Sequence, residues 1–173
     1  MTQPFATASV VNGCVIQPYS NCAGADLSGA DLPGADLDHA ELSGANLSHA
    51  DLSGADLSYT DLVRSNLTGA DLTGANLRAA NVRVAVAESA QMEGANLLYI
   101  SAADSDFNGA SLPSANLTHA NFEEASLRDV FLAAANLSYA SFAGADMTGA
   151  VTDSRTIFCH TEMPEGNYVG TNC

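Results

Sequence analysis

From residue 24 the chain reads GADLSGADLPGADL, and the unit Ala-Asp-Leu-X-Gly does not end there. Stepping by five from Leu27 meets leucine at every step to Leu77, and then Val82. A weaker stretch follows (Ala87, Met92, Leu97, Ala102). The strong pattern then returns with Phe107, Leu112, Leu117, Phe122, Leu127, Leu132, Leu137, Phe142 and Met147, which makes 25 consecutive pentads without a slip of phase. Two residues before each centre lies a small residue, nearly always Ala, and one before it lies Asp or Asn in most pentads.

A repeat this strict settles the architecture before any single element is considered. A period of five walks around a 3.6-residue helix and leaves no coherent apolar face. It also defeats a plain strand, whose side chains alternate with period two. A short extended piece followed by a corner satisfies it: Ala and Leu point inward, the Asp or Asn between them points outward, and the last two residues turn the chain. Pro33-Gly34 has the order that a type II turn prefers at its central positions. Coils built this way bond backbone to backbone with the coils above and below.

A second period lies over the first. The last residue of every fourth pentad gives Tyr19, His39, Tyr59, Ala79, Tyr99, His119 and Tyr139, a series without Gly. The neighbouring series, Gly34, Gly54, Gly74, Gly94, Ser114 and Ala134, is mostly Gly, and Pro33 and Pro113 also stand a multiple of 20 apart. Four pentads therefore make one square coil, and the array predicts six to seven coils, roughly 30 Å of rod at the ~4.8 Å strand spacing. Where Ala-X-Leu becomes Ile100-Ser101-Ala102, large and small are exchanged and interior volume is nearly kept, so the weak stretch belongs to the same solenoid. The predicted organisation is an N-terminal cap (1–19), the repeat array (20–151) and a C-terminal cap or tail (152–173).

The array resembles the pentapeptide repeat family, whose pattern is Ala-(Asp/Asn)-Leu-X-X. The resemblance implies an all-β solenoid, a right-handed quadrilateral β-helix, in agreement with the 20-residue period. The end segments CVIQPYSNCAGADL and FCHTEMPEGNYVGTNC are similar to the family's caps. Some members bind DNA gyrase or topoisomerase IV, and protect the enzyme from a drug or inhibit it as a drug does. This chain departs from those members in two ways. Its unbroken phase leaves no inserted loop, and its tail, with Pro164, Gly166 and Gly170, does not read as the apolar C-terminal helix through which others dimerise.

Charge supplies the main functional pointer. There are 20 acids against 5 bases, all arginine, for a net −15. Residues 21–75 hold −8 of this, residues 76–150 hold −5 and the tail −2. Such a chain repels nucleic acid and anionic membrane and favours basic protein partners. Asp31, Asp51 and Asp71 should stack in one outer column and Asp36 and Asp56 in the next. Duplex DNA of ~30 Å carries on the order of 18 negative charges, so rod and charge together suggest DNA mimicry toward a type II topoisomerase. The alternative is a structural scaffold with no topoisomerase role.

Two further surface features are expected. One is the ring column of Tyr19, His39, Tyr59, Tyr99, His119 and Tyr139, a stabilising ladder or a docking stripe; since bulky side chains avoid positive φ, this corner is expected to avoid the type II turn of the glycine corners. The other is an outward apolar group, Val63 and Arg64 one coil from Arg83 and Val84 with Val86 alongside, and Phe131 elsewhere. The interior is Ala and Leu, His39 and His119 stand four coils apart, His49 faces another side and His160 lies in the tail. Polar groups that diverge from a convex rod argue against catalysis, against a metal site and against any cofactor.

The four cysteines, Cys14, Cys22, Cys159 and Cys173, sit only at the ends. They read either as two short-range disulfides, which place the chain in an oxidising compartment outside the cytoplasm, or as buried thiols. A topoisomerase partner instead implies the cytoplasm. Residues MTQPFATASVVNG lack the basic start and long apolar run of a signal peptide.

Overall fold

The computed structural model of the protein describes residues 9–173. Residues 1–8, the first part of the expected N-terminal cap, lie outside the described residues. The described chain opens with an antiparallel hairpin, β1 (Ser9–Val11) and β2 (Cys14–Ile16), paired with Val11 opposite Cys14. Asn12 and Gly13 form its two-residue loop with φ of +47° and +84°, the type I′ turn that an Asn-Gly pair favours.

Beyond this hairpin each pentad contributes one bridged residue, the Asp/Asn position. From Asn21↔Glu41 to Phe131↔Val151 every parallel bridge joins residues 20 apart. The repeating bonds are few. Leu27 N–H donates to Asn46 O (2.7 Å), Gly29 N–H to Ser48 O (2.8 Å) and Asn46 N–H to Ala25 O (2.9 Å). Within the pentad, Ala30 N–H closes the turn on Leu27 O (3.1 Å). Backbone polarity is thus satisfied between neighbouring windings rather than along extended strands.

The centres are buried from Leu27 to Phe142, and only Met147, at the last pentad, is half-exposed. Neighbouring windings share volume. Phe107 lies one winding above Ala87, and Phe122 one winding above Ala102, so each large ring stands next to a small centre. Phe122 meets Phe107 edge-on at 5.2 Å and stacks on Phe142 at 5.5 Å. Where Thr replaces an inward Ala, its hydroxyl donates to a carbonyl of the winding before: Thr60 to Leu37 O (2.9 Å), Thr156 to Leu132 O (3.0 Å), Thr161 to Leu137 O (2.8 Å). The buried polar side chains are all hydroxyls, and no ionisable side chain other than disulfide-bonded cysteine is buried among the described residues.

The ladder runs on past residue 151 with one residue inserted, since Asn136 pairs with Ile157 and Ser141 with Glu162, both 21 apart. Thr156 and Thr161 occupy the inward small position there, both buried. The chain ends in an antiparallel pair, β3 (Phe158–Glu162) and β4 (Tyr168–Thr171). Asp153 anchors the insertion: its carboxylate accepts from Arg155 Nε (2.9 Å) and Nη2 (2.6 Å), from Ala134 N–H (3.0 Å) and from Arg155 N–H (2.9 Å).

This packing can be tested at two places. Leu77→Asp puts an unpaired carboxylate at a fully buried centre and should prevent folding or cost at least about 4 kcal/mol in urea melts. Sequence alone makes Asp56→Ser a near-neutral partner to that variant. The structure corrects this, because Asp56 Oδ1 accepts from Ser58 N–H (3.0 Å), Ser58 Oγ (2.6 Å) and Asn76 Nδ2 (3.0 Å); the expected cost is about 1–2 kcal/mol. The second place concerns pH. Bonds from Arg155 and from the Ala134 amide draw Asp153 down from 3.8 to about 2. Folding favours the charged form, so this contribution is complete above about pH 4 and is lost as pH falls toward 2. Asp153→Asn should flatten that part of a plot of urea midpoint against pH.

Candidate functional site

The outer surface is organised in columns, because the Asp/Asn position of one winding lies beside that of the next. Asp31, Asp51 and Asp71 form one such column, as expected, with Asp31 exposed and the other two half-buried. Asp36 and Asp56 begin the adjacent column, which continues as Asn76, Asn96 and Asn116. There the amides link the ladder, Asn76 donating to Asp56 (3.0 Å), Asn96 to Asn76 (3.0 Å) and Asn116 to Asn96 (3.3 Å). The aspartate column has no such link. Asp51 and Asp71 are instead held by their own corners, Ser53 N–H donating to Asp51 (3.0 Å) and Thr73 N–H to Asp71 (2.9 Å), whereas the corner after Asp31 carries Pro33, which has no N–H to donate. The Ser53 hydroxyl and amide hold the Asp51 carboxyl below its usual range.

Among the described residues the Arg–Asp pairs are Arg83–Asp104 (3.6 Å), Arg128–Asp146 (2.6 Å) and Arg155–Asp153 (2.6 Å), none of them on the Asp31–Asp51–Asp71 column. Thr148 and Arg128 draw Asp146 down to about 2. The apolar groups are separate. Val84 and Val86 are exposed near mid-array, and Phe131 forms an exposed pair with Val151 at the far end of the aspartate column.

The ring column is present in two stacks. Tyr19, His39 and Tyr59 follow one another at 4.8 Å along the column, and the Arg78 guanidinium sits 5.2 Å from the Tyr59 ring and bonds its hydroxyl. Past Ala79, Tyr99, His119 and Tyr139 stack at 4.9 and 5.0 Å, and His160 adds a fourth ring at 5.2 Å, nearly parallel at 3°. His160 therefore belongs to the column and not to an unrelated tail. The inserted residue in 152–156 hid it, since the 20-residue count lands on Cys159.

The expected turn at this corner is wrong. Every fifth residue from Gly24 to Gly149 has positive φ whatever its type, and the rings at 19, 39, 59, 99, 119, 139 and 160 have φ of +54° to +61°. All corners are one turn class because the inter-winding bonds fix the backbone: Tyr19, His39, His119 and Tyr139 each donate their N–H to the next winding (2.8–2.9 Å). The left-handed conformation costs a non-glycine residue about 1–2 kcal/mol, and each ring stack returns about 0.5–1.5 kcal/mol.

No convergent acid–base or nucleophile–base pair faces a common pocket among these residues. A cleft of about 430 Å³ at the C-terminal end is lined by Met147, Met163, Pro164, Asp146 and Glu165, thioethers and carboxylates without a histidine or cysteine. The cysteines pair locally, Cys14 with Cys22 and Cys159 with Cys173. One cluster escaped the sequence reading, which took the histidines and cysteines separately: Cys159, His160 and Cys173 bring their ligand atoms within 4.8 Å of one another.

These features define a β-helix solenoid of pentads whose outer surface is ordered in columns. The sequence profile described as pentapeptide repeats matches residues 20–58, 50–86, 60–97, 88–129 and 115–151, and the chain belongs to the pentapeptide repeat family. No curated protein matches it in sequence. Among solved structures it is similar to HetL, a pentapeptide repeat protein involved in heterocyst differentiation regulation from the cyanobacterium Nostoc sp. strain PCC 7120, with 28% identity over 86% of this chain and 78% of HetL and a TM-score of 0.58. Rfr23 from the cyanobacterium Cyanothece 51142 is 30% identical over 70% of this chain and 62% of its own, with a TM-score of 0.21. A trypsin-treated variant of QnrB1, a plasmid-mediated fluoroquinolone resistance protein, is 18% identical over 79% of this chain and 83% of its own, with a TM-score of 0.44.

Two glycine substitutions test the energetics of the ring column. Ala79→Gly relieves a positive φ without losing a ring and should stabilise the protein by about 1 kcal/mol. His119→Gly relieves the same strain but removes two stacks, and should leave the melting temperature unchanged or lower.

Proposed function

We propose that the chain is a right-handed, four-sided β-helix of six to seven coils that acts without catalysis, as a module presenting an acidic face to a basic groove on a partner protein. The observation that carries this reading is the column Asp31–Asp51–Asp71: three carboxylates one winding apart, the second and third held by their own corners, and none with an arginine pair. Like charges at this spacing repel, and a cationic partner surface relieves that repulsion on binding. The concrete candidate is the DNA-binding groove of a type II topoisomerase, DNA gyrase or topoisomerase IV, occupied by the rod as a DNA mimic. HetL, to which the chain is similar, takes part in regulation, in keeping with a binding role. Neither direct nucleic-acid binding nor membrane binding fits a net charge of −15.

A second reading has its own observation. Both cysteine pairs are disulfide-bonded, which fits an exported protein, and an exported solenoid meets no topoisomerase. In that setting it serves as a rigid spacer.

The deciding experiment is a supercoiling assay of gyrase and of topoisomerase IV with purified protein. Inhibition or drug protection at micromolar concentration or below is expected, weakening with salt. The triple variant Asp31→Asn, Asp51→Asn, Asp71→Asn should be at least ten-fold less potent. No effect on either enzyme removes the topoisomerase and leaves the spacer.

A further inference from the structure

The two disulfides stand in different surroundings. Cys14 and Cys22 are both buried, whereas Cys159 is half-buried and Cys173 exposed. An exposed disulfide is the more readily reduced of two, and a neighbouring imidazole N–H stabilises the thiolate that leaves. His160 supplies that neighbour, its Nδ1 3.3 Å from Cys159 Sγ.

Features other than the sulfur–sulfur bond hold the three residues together. Pairing of β3 with β4, Phe158 opposite Thr171, brings the segments bearing Cys159 and Cys173 side by side. Asn172 Nδ2 ties the second segment to Ser154 O (3.3 Å) and Thr156 O (3.0 Å). The His160 ring is oriented by its stack on Tyr139. We propose that, once the Cys159–Cys173 bond is reduced, the two thiolates and His160 form a binding site for a zinc-class divalent ion, so that this end is closed by a covalent bond under oxidising conditions and by a metal under reducing ones.

The chemistry balances simply. A dithiol reductant supplies two electrons, the S–S bond breaks, each sulfur takes a proton and the reductant becomes a disulfide. Metal binding then displaces the two sulfur protons, and His160 ligates through Nδ1 once its ring proton has passed to Nε2. Zinc–sulfur and zinc–nitrogen bonds of about 2.3 and 2.05 Å at a tetrahedral angle separate S from N by about 3.5 Å, close to the 3.3 Å found. Two thiolates and an imidazole select zinc over magnesium or calcium.

Cobalt(II) is the probe, since its thiolate complexes absorb strongly in the near ultraviolet. Protein reduced with a phosphine should show a sulfur-to-cobalt charge-transfer band that saturates at one equivalent, and oxidised protein should show none. His160→Phe keeps a ring against Tyr139 and the disulfide, so it folds as the parent does, and should bind at least ten-fold more weakly. Cys173→Ser should lose most of the band, while Cys22→Ser leaves it. Absence of the band from reduced protein overturns the proposal, as does a band unchanged by both His160→Phe and Cys173→Ser.

Discussion

The hydrogen bond between one winding and the next, made always to a residue near 20 further along, is the constraint from which the other features descend. It fixes the backbone at every corner, which is why Tyr, His, Val, Arg and Glu all adopt a conformation usually left to glycine. It fixes which side chains point inward, and so reserves two positions in five for buried residues, mostly Ala and Leu. It also sets rings and carboxylates one winding apart in rows. Local propensity has little influence here, because no pentad holds its shape without its neighbours.

The same constraint explains what the sequence discloses. Period and facing are legible because each is stated 25 times over, and the four-pentad repeat because it recurs along the whole array. The ring column and the aspartate column follow by counting in twenties. Three things escaped. The turn class at the rings is set by bonds from the adjacent winding, and these override the preference of the residue itself. The continuation beyond Val151 carries Thr where the pattern demands Ala, and its hydroxyls donate to carbonyls 24 residues earlier. The Cys159–His160–Cys173 cluster depends on the inserted residue and the closing hairpin, neither of which has a repeat to announce it.

The two halves of the molecule treat charge differently. The arginine–aspartate pairs begin at Arg83, so the C-terminal half offsets part of its charge internally, whereas the Asp31–Asp51–Asp71 column does not. The surface charge is therefore uneven along the array. The ends differ too: a buried disulfide beside the first hairpin, and an exposed one next to an imidazole at the last.

The 20-residue register also governs how such a gene can lengthen or shorten. Gain or loss of four pentads adds or removes a storey and leaves every row aligned. Gain of one pentad turns all that follows by one face, breaking both the carboxylate row and the ring row while keeping the interior intact. Duplication in multiples of 20 thus preserves the surface rows and stability together, and duplication in fives preserves stability alone.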